Sequence, residues 1–417
     1  MKVAVIGSGG REHAIVEALA KSKKITKLFC LPGNAGISNL AECKKIDVMD
    51  FDDICNFALV EKLDFVFVAP DDPLGTGLVD ALNSKGIRAF GPTKQAAIIE
   101  SSKAFSKEFM KRHGIPTANY VTFSSFDKAE AYIKKANHPI VIKADGLAVG
   151  KGVYICHTYA ESMSALKTLM IDKTFSTAGD RVVIEEFLVG TEITLLVFCD
   201  GKNFCLMPSS QDYKRAFDDD RGPNTGGMGA ICPSPIFSES IKLETIKNIV
   251  TPTINSLIEE GRPFKGVIYF GLMLTKSGVK VIEYNARFGD PEAQVVLPLL
   301  KTDLVDIVNA CIDGSLENLK ISWKNKSSMC VIVASGGYPT NVIKGYPIEI
   351  NQLIGVNLIH NGTALLNNKL ITNGGRVFSV VAIDDSIKLC RNKIYREIDK
   401  IKFKDARYRK DIGKENG

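Results

Sequence analysis

Glu283, Asn285 and Arg287 stand at alternate positions in Val281-Ile282-Glu283-Tyr284-Asn285-Ala286-Arg287-Phe288-Gly289-Asp290-Pro291-Glu292, following a pair of apolar runs over 266–275 and 279–284. If the strand runs on to Arg287, its period of two places a carboxylate, an amide oxygen and a guanidinium on one face. Such a row packs poorly. It suits Mg²⁺, which takes hard oxygen ligands and shares them with phosphates, while arginine neutralises phosphoryl charge. The competing account, an edge strand with its polar side in water, fits less well after so apolar a strand pair.

Other segments could serve the same chemistry. Gly7-Ser8-Gly9-Gly10-Arg11-Glu12 joins a short apolar run to an amphipathic one, so its backbone N–H groups could hold an anion or simply close a tight turn. It is no dinucleotide fingerprint, because Glu12 takes the third glycine position and Phe29-Cys30-Leu31 the place of the acidic ribose ligand. Lys143-Ala144-Asp145-Gly146-Leu147-Ala148-Val149-Gly150-Lys151-Gly152 misses the Walker spacing and lies between apolar runs, as a hairpin would. Carrying Lys143 and Lys151, it could fold over a polyphosphate; an ordinary solvated hairpin is the alternative. The run 183–192 reads as a strand entering a turn. Its backbone could pair with an adenine edge while a carboxylate takes a ribose hydroxyl, or its acids could merely face water. The stretches 209–215 and 222–229 are polar, glycine-dense and too long for a simple turn.

These residues need elements to position them. The first hundred residues alternate short apolar runs with amphipathic stretches, which predicts a parallel sheet flanked by helices, one of them over 74–85. Its crevice would lie at the strands' carboxyl ends, in the loops 7–12, 32–36 and 70–74. A helix over 103–113 ends at Gly114 and Pro116, and an α+β pattern follows, with one long helix over 238–260. Beyond Asn325 the chain reads as a small β-rich module closing in a basic helix and tail, 387–410. The fold class is therefore α/β and α+β, divided into 1–102, 103–325 with a lid lobe at about 120–190, and 326–417.

Composition narrows the function classes. The 417 residues are 45% hydrophobic and 24% charged, which excludes a disordered chain or a fibre. No apolar run approaches the length of a membrane helix, and the N-terminal Val3-Ala4-Val5-Ile6 is too short for a secretion signal, so a cytoplasmic protein is expected. Ten cysteines without a C-x-x-C pair and five scattered histidines point to a reducing compartment and away from zinc. The net charge of +6 could favour anionic ligands. The basic tail 391–410 could suggest nucleic acid, but it also holds Glu397, Asp399 and Asp405, as a solvated helix face does.

Taken in order, the segments resemble the ATP-grasp superfamily and, within it, the glycinamide ribonucleotide synthetase (phosphoribosylamine–glycine ligase) family. The carriers are Gly7-Ser8-Gly9-Gly10-Arg11-Glu12-His13-Ala14, Pro32-Gly33-Asn34-Ala35-Gly36, Ile142-Lys143-Ala144-Asp145-Gly146-Leu147, Gly150-Lys151-Gly152-Val153, Gly222-Pro223-Asn224-Thr225-Gly226-Gly227-Met228-Gly229 and Arg287-Phe288-Gly289-Asp290-Pro291-Glu292. One departure is Pro70-Asp71-Asp72-Pro73, where the family more often has Pro-Glu-Ala-Pro. The resemblance implies a pre-ATP-grasp domain, a two-lobed ATP-grasp domain and a C-terminal domain. It implies ligation of glycine to 5-phosphoribosylamine at the expense of ATP, with Mg²⁺ or Mn²⁺, by a monomer that needs no nucleic acid or membrane. Lys103, Lys143 and Lys151 would contact the nucleotide phosphates under a lid containing Gly150 and Gly152. Glu185, Phe187 and Leu188 would frame the adenine, and Glu192 would hold the ribose. Glu283 and Asn285 would bind the metal, and Arg287 would steady the transferred phosphoryl group. Gly9, Asn34, Gly36 and Asp71 would meet phosphoribosylamine; Asp212, Asp290 and the backbone of Gly226 and Gly227 would place glycine. Another ATP-grasp ligase or carboxylase working through an acyl phosphate is the alternative the resemblance leaves open.

Overall fold

The structure, a computed structural model, describes residues 1–147, 152–174 and 176–414. Strands β1 (Lys2–Gly7), β2 (Lys27–Pro32), β3 (Glu42–Cys43), β4 (Phe65–Val68) and β5 (Ala89–Phe90) form a parallel sheet in the order β3-β2-β1-β4-β5. Val3, Ala4, Val5 and Ile6 are all fully buried, as a parallel strand covered on both faces requires. The covering helices are α1 (Gly10–Ala20), α2 (Phe51–Glu61), α3 (Asp71–Thr76), α4 (Leu78–Ser84) and α5 (Lys94–Ser101). The helix expected over 74–85 is thus two helices, because Gly77 adopts φ +107° and breaks the ladder. The first of them begins three residues earlier than expected and carries Asp71 in its first turn.

After α6 (Lys103–Arg112) the chain builds a lobe from β6 (Tyr120–Phe123), α7 (Phe126–Ile133), β7 (Ile140–Ala144), β8 (Val153–Cys156), α8 (Tyr159–Met170) and β9 (Val182–Glu186). Its strands are antiparallel in the order β6-β9-β7-β8. Ala129, Ile133, Leu166 and Leu169 pack the two helices against it. Lys143 pairs with Val153, so the glycine segment does join two antiparallel strands.

The second lobe starts with β10 (Thr191–Asp200) and β11 (Phe204–Leu206). The polar stretches then supply β12 (Gln211–Asp212), the hairpin β13 (Arg215–Phe217) and β14 (Arg221–Asn224), and β15 (Gly229–Cys232). The helix expected over 238–260 is α9 (Glu239–Thr245) and α10 (Thr251–Glu259) joined by a π turn, Ile246–Val250. Pro252 accounts for the widening, since its ring would clash with a carbonyl one α-turn back. β16 (Lys265–Thr275) and β17 (Gly278–Asn285) complete the lobe's sheet, in the order β11-β10-β16-β17.

Helices α11 (Ala293–Val296) and α12 (Leu304–Asp313) lead to β18 (Ser327–Ala334), β19 (Glu349–Ile350), β20 (Asn357–His360), β21 (Thr363–Leu366), β22 (Lys369–Thr372), β23 (Arg376–Asp384), α13 (Ile387–Glu397) and β24 (Ile401–Lys402). The C-terminal sheet runs β12-β15-β18-β23-β20. Two of its strands therefore come from the polar loops of the middle segment, a pairing across about a hundred residues that no local pattern announces. The tail also departs from expectation. The helix stops at Glu397, and Arg409 is 2% exposed, paired with Asp220 at 2.9 Å and Asp411 at 2.6 Å. A buried arginine demands such partners, so this end of the tail is packed structure and not a solvated face.

Candidate active site

One cleft opens between the two antiparallel sheets, bordered by α3 and α5 from the N-terminal sheet. Its floor is β17. A bulge beside Gly271 shifts the register and leaves Glu283 opposite Gly271 and Asn285 opposite Tyr269. The strand ends at Asn285, so the run to Arg287 does not occur. Arg287 reaches the same place by another route: the chain bends and its guanidinium returns to 3.2 Å from Asn285 Oδ1. It also lies 2.9 Å from Glu100 Oε1 and 3.9 Å from Asp71 Oδ2. Burial opposes the guanidinium charge, but Glu100 and Asp71 more than offset it and keep Arg287 protonated. Glu100, which also accepts the Ala286 N–H at 2.7 Å, is pushed up to about 7 by burial, with Arg287 pulling the other way.

The lysines enter from two sides. One turn of α6 separates Lys103 from Lys107, so both share a face. Glu185 sits between Lys143 and Lys107, with one oxygen 3.0 Å from each Nζ, and all three side chains are buried. Burial brings Lys107 down to about 8, against the pull of Glu185. Lys103 Nζ donates to the Gly146 carbonyl at 3.1 Å; burial lowers its pKa, while Glu283 opposes the shift. Phe187 and Leu188, with Val141, Ile155 and Ile282, give the cleft an apolar end. Beyond it Glu192 holds Lys214 Nζ at 2.7 Å.

Glu283 differs from the other acids. Burial would raise its pKa, but Lys214, Lys143, Lys103 and Arg287 together reverse this and hold the carboxyl below its ordinary range. Among the described residues it has no hydrogen-bond or ion-pair partner at contact distance. An ionised carboxylate with free lone pairs beside the Asn285 amide oxygen fits a hard divalent cation. No group of three or more His, Cys, Asp or Glu suited to a metal exists among the described residues, so phosphate oxygens would have to complete such a shell.

Asp212 lines the same cleft with Glu292, Tyr269 and Gly226. Burial pushes Asp212 up to about 7; Lys214 opposes this, while Glu292 and Glu192 add to it. Its carboxylate has no hydrogen-bond partner among the described residues. Asp290 is the reverse case: Arg376 lies 3.0 Å from its Oδ2, and Gln294 Nε2 donates to its Oδ1 at 2.6 Å.

The structure thus gathers Asp71, Lys103, Lys143, Gly152, Glu185, Phe187, Leu188, Glu192, Asp212, Gly226, Glu283, Asn285, Arg287 and Asp290 around one cleft. Gly227 sits behind the rim, where a Cβ would meet Pro291 at 2.5 Å. Gly9, Asn34 and Gly36 do not line it. Gly9 lies close behind Asp290, and its N–H is capped by Glu12 at 2.7 Å. Asn34 donates to the carbonyls of Ser8 and His360 and accepts from Gly36 and Ile37, so its side chain ties loops together. Gly36 is pressed against His13 and His360, whose pKa values burial lowers to about 4. Gly150 and Lys151 lie outside the described residues.

Among the charged and polar residues at the site that received no role from the sequence are Glu100, Lys107, Lys214, Tyr269, Glu292 and Arg376. The four-residue spacing from Lys103 could have exposed Lys107. Lys214 follows Asp212 by two in a polar run, a weaker signal. Nothing local marks Glu100 or Arg376.

Two antiparallel sheets holding a lysine-rich cleft, with a carboxylate and amide on one and a glycine hairpin on the other, define an ATP-grasp enzyme. Comparison with known proteins agrees. Phosphoribosylglycinamide synthetase models match in order: the N domain over 1–100, the ATP-grasp (A) domain over 101–293 and the C domain over 328–415. Phosphoribosylamine–glycine ligase of Caldanaerobacter subterraneus is 46% identical, with 99% of each chain covered, and that of Halalkalibacterium halodurans is 46% identical, with 99% of this chain and 96% of the other covered. The crystal structure of the Thermotoga maritima phosphoribosylamine–glycine ligase superposes with a TM-score of 0.87 at 34% identity, covering 99% of this chain and 100% of the other. A Campylobacter jejuni biotin carboxylase shares the fold alone, with a TM-score of 0.74 at 14% identity and 98% and 93% coverage. The chain belongs to the phosphoribosylglycinamide synthetase family and is an ATP-grasp ligase of purine biosynthesis. No described helix is long and apolar enough to cross a membrane.

Proposed function

We propose that this cleft joins glycine to 5-phosphoribosylamine through glycyl phosphate, giving glycinamide ribonucleotide, ADP and phosphate. The observation that carries the residue assignment is the convergence of Lys103, Lys143, Glu283, Asn285 and Arg287 on one cleft beside the unpartnered carboxylate of Asp212. A carboxylate resists amines because oxide is its leaving group, so glycine's oxygen first attacks the γ-phosphorus of ATP and ADP departs. The amine nitrogen then attacks the glycyl carbonyl, phosphate leaves, and the nitrogen loses a proton. Positioning and charge neutralisation do most of this work.

Lys103, Lys143 and Lys151 hold phosphate oxygens, and Arg287 faces the phosphoryl group in flight. Phe187 and Leu188 clasp the purine, Glu185 meets its edge while fixing Lys143, and Glu192 meets the ribose. Glu283 and Asn285 would hold Mg²⁺ or Mn²⁺, which when bound offsets polyphosphate charge. Asp212, the Gly226-Gly227 backbone and Asp290 form the glycine side; Asp71, with the loops of Gly9, Asn34 and Gly36, forms the phosphoribosylamine side. Gly150 and Gly152 let the hairpin close and exclude water from the acyl phosphate. We place the enzyme in the cytoplasm as a monomer acting on small molecules, without nucleic acid or membrane, and keep the divisions 1–102, 103–325 and 326–417.

ADP release measured with each substrate omitted in turn tests this reading. Turnover should require glycine and the amine, and turnover supported by bicarbonate instead of glycine would establish the carboxylase alternative. A second expectation concerns pH. Asp212 must be ionised to hold glycine's ammonium, so kcat/KM for glycine should rise as pH increases through about 7. Asp212→Asn should lower that parameter and flatten its profile below pH 8; an unchanged slope removes Asp212 from the glycine site.

A further inference from the structure

Arg376 comes from β23 of the C-terminal sheet, yet its guanidinium ends on the rim of the cleft. Its NH1 donates to the Gly226 carbonyl at 2.6 Å and the Asp290 carbonyl at 2.9 Å, and its NH2 lies 3.0 Å from Asp290 Oδ2. The same rim is held once more from this domain, where Tyr338 Oη accepts the Gly226 N–H at 3.0 Å. Gly226 carries no side chain to fix it, and a Cβ there would stand 3.1 Å from Arg376 Cζ. The rim's two halves come from segments about sixty residues apart, and this one guanidinium bonds both.

From this geometry we infer that Arg376 is a positioning residue for the amino-acid substrate: it locks the Gly226-Gly227 backbone and Asp290 into one frame. The inference rests on the reading of that rim as the glycine side. Asp290 has its two carboxylate oxygens engaged by Arg376 and Gln294, so it acts within the frame and leaves the ammonium to Asp212. The fork geometry is what matters. A lysine keeps the charge but cannot bond two carbonyls and a carboxylate in one plane.

The test is steady-state kinetics on the full-length Arg376→Lys and Tyr338→Phe variants, varying each substrate separately, with ADP binding measured at equilibrium. Arg376→Lys should raise the KM for glycine about 10- to 100-fold, as a displaced substrate does, while ADP affinity and the KM for phosphoribosylamine stay within about twofold. Tyr338→Phe removes one hydroxyl and should raise the glycine KM by a smaller factor. A glycine KM unchanged in both variants overturns the inference. So does a loss shared evenly among all three substrates, which would mark a domain contact without specificity. Failure of the underlying reading looks different, because wild-type turnover would then be independent of glycine.

Discussion

Arg287→Met is expected to lower kcat about 10²- to 10³-fold at saturating substrates, the usual effect of removing one preorganised charge from a phosphoryl-transfer site. The position supports a large value. The guanidinium sits 2.9 Å from Glu100 and 3.2 Å from Asn285 Oδ1, so these partners hold its charge in place at the cleft. ADP binding should change much less, since the charge matters most while the phosphoryl group is between its donor, ADP, and its acceptor, the glycine carboxylate. The substitution also isolates Glu100. Arg287 now lowers that acid's pKa against a larger rise from burial, so its loss moves the folded-state value above about 7, further from the unfolded 4.5. A raised folded-state pKa gives stability that is full below the unfolded value and is lost as pH climbs through the folded one. The variant's melting temperature should therefore go on falling above pH 7, where the wild type's loss from this group levels off, and Arg287→Met/Glu100→Gln should abolish that extra fall. A kcat within fivefold of wild type would remove Arg287 from the reacting centre.

Glu283→Gln should be nearly as damaging by a different route. The carboxylate is held ionised by Lys214, Lys143, Lys103 and Arg287, so the amide removes the charge that balances them. A neutral oxygen is also a poorer partner for a hard cation. We expect the Mg²⁺ concentration for half-maximal turnover to rise at least about tenfold and kcat to fall about 10²-fold. The fold should stay intact, but the melting temperature near neutral pH should fall, because a carboxyl whose pKa the fold lowers contributes stability while ionised and its loss leaves the surrounding cations less balanced. Glu283→Asp separates charge from geometry: it keeps the charge and should recover part of the metal affinity. Magnesium dependence identical to wild type in Glu283→Gln would eliminate the residue as a ligand.

Much of this site was legible because its signals are short-range. A strand alternates by covalent geometry, so Glu283 and Asn285 had to share a face wherever the strand packed. The glycine hairpin between two apolar runs had to join antiparallel neighbours, and it does, with Lys143 opposite Val153. The parallel N-terminal sheet followed from its alternating pattern, as did the loops at its strands' carboxyl ends.

Other features depended on where distant segments met. The helix expected over 74–85 split at Gly77, whose left-handed backbone only the surrounding packing could require. Arg287 was placed on the right face for the wrong reason: the strand stops, and an ion pair with Glu100, far back in the chain, draws the guanidinium home. Arg376 and the strands β12 and β15 show the same limit, because sheet pairing and buried ion pairs are satisfied by whichever partner the fold brings near. Sequence by itself determined the alternation of the N-terminal sheet, the strands that flank the glycine segment and the family; tertiary structure decided where helices break and which charges face one another, since burial and distance set their strength and neither is a property of neighbouring residues.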